Sequence, residues 1–103
     1  MKTFNEFLNE AKSDMDLDNA KPGAKITNIS KLKTGEYYYA NLEGEWLPYE
    51  LSAVSYAPAE KQNVWFWTAW MDGDWVYVSQ AELLKNEVEE EIKNGNIKKI
   101  KFA

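Results

Sequence analysis

The chain has 103 residues and a net charge of −5 from 17 acidic and 12 basic residues, with neither Cys nor His. Without Cys there is no disulfide, thiol nucleophile or zinc–thiolate site, and without His the commonest general base and transition-metal ligand are missing. Every basic residue is Lys, so the planar guanidinium fork that grips phosphates and guanine edges is absent, which argues against sequence-specific DNA binding.

Residues 3–12 predict a short amphipathic helix, because Phe4, Phe7, Leu8 and Ala11 fall on one helical face. Thr3 and Glu6 have the spacing of a capping box. A helix this short is marginal in water unless it docks, so residues 1–12 read as a leader or tag. Residues 13–24 are acidic and rich in turn formers (Asp14, Asp16, Asp18, Pro22, Gly23), the composition of a linker. The body of the protein is then expected over residues 25–103.

Ile26 and Ile29 are expected in a first short strand or turn. Glu36–Leu42 is a run rich in strand-forming aromatics, Glu43-Gly44 a hairpin signal, and Glu45–Tyr56 the next strand. Pro48 cannot donate to a ladder, so that strand is expected to be an edge, bulged or bent there. Asn63–Met71 is the strongest strand signal. Asp72-Gly73 suits a type I′ turn, and Asp74–Val78 returns. A helix is expected from Ser79, with Ser79 and Glu82 at capping-box spacing and Ala81, Leu84, Val88 and Ile92 on one face, ending at Gly95. Ile97–Phe102 closes the chain as a Lys-studded strand, the composition of a protected edge. The predicted class is mainly β (α+β): a small curved antiparallel sheet or SH3-like barrel with a C-terminal helix and a short N-terminal helix.

Five Trp, six Tyr and four Phe exceed what one core of this size needs. In the central strand Val64, Phe66, Thr68 and Trp70 share one side, and Trp65, Trp67, Ala69 and Met71 the other. Both sides are bulky, so both are expected to be covered. One reading buries them all beneath the helix. The other leaves some of Tyr37, Tyr39, Trp46, Trp65, Trp67 and Trp75 as an exposed surface for methylated Lys, sugars, bases or a protein partner.

Other signals are weaker. Asp72-Gly73-Asp74 is a fragment of a calcium loop but fits a hairpin better. Glu43, Glu45 and Glu50 could be cast as paired carboxylates, without spacing that marks a cleft. The run Glu87–Glu91 reads as a solvated helix face, with DNA mimicry as the alternative. Lys98, Lys99 and Lys101 make a small phosphate footprint. No metal or cofactor is expected, and no enzymatic activity. No apolar run reaches the ~20 residues needed to span a bilayer.

Met1-Lys2-Thr3-Phe4-Asn5-Glu6-Phe7-Leu8-Asn9-Glu10-Ala11 resembles the capsid-targeting leader of internal head proteins from T4-like tailed bacteriophages. Such leaders end at a prohead-protease site, and the resemblance implies one at Leu8, Glu10 and Ala11, with cleavage after Glu10. It covers only these eleven residues and implies a location in the virion head interior or the host cytoplasm. A head protein that binds DNA is expected to be basic, which this chain is not. The leading expectation is therefore a packaged, non-enzymatic phage protein that binds a host protein, with inhibition of that protein as one outcome, or meets the phage scaffold or capsid. The alternatives are an SH3-like adaptor or structural accessory protein, and a Trp-lined carbohydrate- or nucleic-acid-binding module.

Overall fold

The computed structural model describes residues 17–101, except for the side chains of Ser79 and Gln80. The expected N-terminal helix, the processing site at Leu8, Glu10 and Ala11, and the first part of the expected linker lie outside the described residues. Six strands form one antiparallel sheet: β1 (Lys21–Lys25), β2 (Tyr37–Asn41), β3 (Trp46–Ala57), β4 (Gln62–Met71), β5 (Asp74–Leu84) and β6 (Ile97–Lys101). A 3-10 turn at Ile29–Lys31 follows β1, and helix α1 (Lys85–Lys93) joins β5 to β6. The strand order is β1-β6-β2-β3-β4-β5. Among the described residues this is a mainly β fold with helix α1 toward the C-terminal end. The sheet is curved, and among the described residues no pairing joins β1 to β5.

Local chemistry accounts for most of the connections. The β4–β5 hairpin turns on Asp72 (φ 50°) and Gly73 (φ 80°), the successive left-handed residues that a type I′ turn requires. Between β2 and β3 the amide of Gly44 donates to Asn41 Oδ1 at 2.8 Å. β3 pairs with β4 only from Tyr49 onward, so Pro48 sits where that ladder gives out and costs it no bond. Bulges between Leu51 and Ala53, and opposite Trp67 between Tyr77 and Glu82, bend the sheet.

Three sequence expectations are corrected. The segment read as the end of a linker contains β1, whose Lys21 and Pro22 pair with Lys101 and Ile100. The helix does not begin at Ser79: β5 continues to Leu84, because Trp65 and Val64 pair with Leu83 and Leu84. α1 begins after Leu84, whose amide donates to Glu87 Oε1 at 2.9 Å; Leu84 has no acceptor to return the bond. At the other end Gly95 N–H bonds Ile92 O and Asn96 N–H bonds Glu91 O, a Schellman closure with Gly95 at φ 76°. Finally, β6 is not an edge. It lies between β1 and β2, and its lysines flank a strand paired on both sides.

The main core lies between α1 and one face of the sheet. It contains Tyr38, Ala40, Tyr49, Leu51, Trp67, Ala69, Ala81, Leu83, Val88 and Ile97, with Ile26 and Leu32 from the loop after β1. Trp67 is its centre: Tyr38 and Tyr49 meet it edge-on, with ring centroids 5.8 and 6.3 Å away. Tyr38 also ties down the approach to β2, because its hydroxyl accepts the Lys33 amide at 2.8 Å. Burial, opposed by that amide bond and reinforced by Glu36, raises the Tyr38 phenol pKa.

Candidate binding face

The opposite face of the sheet carries a second aromatic set, placed by register. Pairing of Tyr39 with both Pro48 and Lys98, Asn41 with Trp46, and Trp70 with Trp75 puts these residues on the side away from α1. The result is two ring stacks. Tyr39 and Trp46 lie 6.0 Å apart at 11° between planes, and the Lys98 ammonium sits 4.8 Å from the centroid of Trp46. Tyr37 and Trp75 lie 5.6 Å apart at 14°, and Trp70 meets Trp75 edge-on at 5.0 Å. Strands β3 and β4 intervene between Tyr37 and Trp75, so their stacking reflects a sheet that curls toward this face.

Polar groups hold the floor. Ser52 Oγ and Thr68 Oγ1 share a hydrogen bond of 2.6 Å, and Ser52 also lies 3.4 Å from a Glu50 carboxylate oxygen. The indole N–H of Trp70 donates to Asp18 Oδ1 at 2.8 Å. Asp18 thus reaches β4, while three residues later Lys21 opens β1 at the far side of the sheet. Residues 18–20 complete a helical turn, with the Ala20 amide on Leu17 O at 3.3 Å, and lead directly into β1. Leu17, just before them, is buried.

Four of the six aromatics expected at a surface are here: Tyr37, Tyr39, Trp46 and Trp75, all half-buried. The other two are corrections. Trp67 is 1% exposed in the main core, and Trp65 packs half-buried against that core. The physical reason is strand parity: both share the α1 side with Ala69 and Met71, as the alternation in β4 indicated. Three members of the face were not anticipated. Trp70 could have been found, because alternation sets it opposite Trp67. Lys98 and Asp18 depend on the order of strands and had no local signal.

The weaker motifs are accounted for locally. Asp74 Oδ1 accepts the Trp75 amide at 2.8 Å beside the hairpin turn, and among the described residues no cluster of acids is arranged to hold a metal. Glu87, Glu90 and Glu91 border a shallow depression of about 480 Å³ with Leu42, Leu83 and Asn86, on the α1 side of the sheet. A second, of about 360 Å³, lies where Ile29 and Ile92 meet. Neither touches the ring stacks. No described helix is long and apolar enough to cross a membrane. No family model, curated protein or solved structure matches this chain.

Proposed function

We propose that this chain is a small non-enzymatic binding protein that engages a protein partner through the ring face built by Tyr37, Tyr39, Trp46, Trp70 and Trp75. The observation that carries the reading is that two aromatic stacks remain half-buried on the side of the sheet that the helix-covered core does not use. Rigid aromatic rings supply large contact area at small entropic cost, which is why Trp and Tyr dominate protein–protein hot spots. The net charge of −5 favours a partner with a basic surface.

The N-terminal motif, Leu8, Glu10 and Ala11 included, supports a phage origin, with packaging in the head and a host protein as the target. Two measurements test this. Mass spectrometry of purified virions should recover a chain starting at Ala11; absence from virions removes the packaging part. Affinity capture from host lysate with the full chain should yield a partner that the Tyr39→Ala/Trp46→Ala variant loses while still melting cooperatively. Equal capture by both proteins defeats the assignment of the face. A stack edged by a lysine also suits single-stranded nucleic acid, and titration with oligonucleotides of mixed sequence separates that reading.

A further inference from the structure

The two edges of the sheet are finished differently. β1 carries Lys21, Pro22 and Lys25 and is bulged between Pro22 and Lys25, three devices that discourage strand addition. Among the described residues β5 pairs only with β4, and it contains no Lys, Pro or Gly. In a two-residue hairpin the pair flanking the turn, Met71 and Asp74, is hydrogen-bonded. Trp75 and Tyr77 then direct their amides and carbonyls away from β4. The Asp74 carboxylate on the Trp75 amide agrees with that orientation. Tyr77 comes next along the open edge, 63% exposed, beside Val76 at 38%. Charge along this edge has one sign: residues 72–84 include Asp72, Asp74 and Glu82 and no base.

We propose that the stretch Asp74–Val78 accepts an extended basic segment of another protein as an added antiparallel strand. Main-chain bonds at Tyr77 would supply register, and lysines on the incoming strand would meet Asp74 and Glu82. A second copy of this chain brings the same acids and the same net charge to the edge, so electrostatics favours a cationic strand over self-pairing. The bulge after Tyr77 limits the docked strand to a few residues. This edge is distinct from the Tyr39–Trp46 stack and does not depend on it.

The test uses the full chain and two blocked octapeptides, one alternating Lys with Val and one alternating Glu with Val, followed by amide NMR. The Lys peptide should slow hydrogen exchange at Tyr77, shift β5 resonances and leave β1 unchanged, and its affinity should fall as salt rises. Tyr77→Pro removes an amide that makes no bond to β4, together with the exposed bond from the Tyr77 hydroxyl to Glu82, so the protein should still melt cooperatively while binding weakens by roughly tenfold. The Asp74→Lys/Glu82→Lys variant, both sites being exposed, should instead prefer the Glu peptide. Equal binding of both peptides overturns the proposal. So does protection confined to β1 or the ring face, or dimerisation through β5 without peptide in light scattering.

Discussion

Tyr49 shows how the core's economy works at the scale of one atom. Its side chain is fully buried, yet among the described residues neither its hydroxyl nor the Trp67 indole N–H has a hydrogen-bond partner. An unsatisfied buried hydroxyl costs about 1–3 kcal/mol. Tyr49→Phe should therefore raise stability by about 1 kcal/mol at neutral pH, read by urea denaturation. Burial, with the nearby Glu43 and Glu45, also raises the Tyr49 phenol pKa. The unfolded chain ionises first, near pH 10, so the associated stability is intact below about 10 and is lost as pH rises beyond it. The alkaline loss should be shallower in Tyr49→Phe, and equal slopes in the two proteins would refute this account. The Asp18–Trp70 bond gives a second test. It is charge-assisted and partly buried, so Asp18→Ala should cost about 1–3 kcal/mol and redden Trp emission. An unchanged spectrum would count against the bond between Asp18 and the Trp70 indole.

At the scale of elements, strands were legible wherever aromatic and β-branched runs met a turn pair. Asp72-Gly73 marked its hairpin because no other local arrangement suits two left-handed residues in succession. The start of α1 was misplaced because Ser79 and Glu82 imitate a capping box, whereas pairing with Val64 and Trp65 keeps residues 82–84 extended. The working cap is Glu87 on the Leu84 amide, and Glu87→Ala should cost about 0.5–1 kcal/mol in thermal denaturation. β1 was hidden by its own composition: Lys-Pro-Gly-Ala-Lys has no strand signal, and only the neighbouring β6 makes it one. Gly23 is required there, since a Cβ would lie 2.9 Å from the Lys99 carbonyl oxygen. Gly23→Ala should loosen β1, seen as faster amide exchange at Lys99 and Lys101, the β6 residues whose backbone groups face β1, with β3 and β4 unaffected. Slow exchange at those two amides would contradict the close approach.

At the scale of the molecule, the fold class could be read from the alternation of strand patterns and the late helix, but the strand order could not. Which aromatic faces which depends on pairings between residues far apart in the chain, such as Tyr38 with Lys99. That is why Tyr37, Tyr39, Trp46 and Trp75 were identifiable as candidates while Trp65 and Trp67 were indistinguishable from them. The ring face is an assembly property: β2 supplies two rings, β3 one, β4 one and β5 one, with a lysine from β6. Cleavage after Glu10 should leave this assembly intact, because Asp18 and β1 lie downstream. A chain starting at Ala11 should melt cooperatively within a few degrees of the full chain. A non-cooperative melt would mean that residues 1–10 belong to the core.

The position of β6 has a consequence for synthesis. β1 is made early, yet among the described residues its only partner in the sheet is drawn from residues 97–101. On the ribosome the β2–β5 meander can assemble from neighbours in sequence, whereas β1 must wait until the strand that separates it from β2 has emerged from the exit tunnel. Closing that long loop is the slow, entropically costly step, so a released fragment ending at Gly95 would display a half-finished sheet with its amino-terminal strand still unattached.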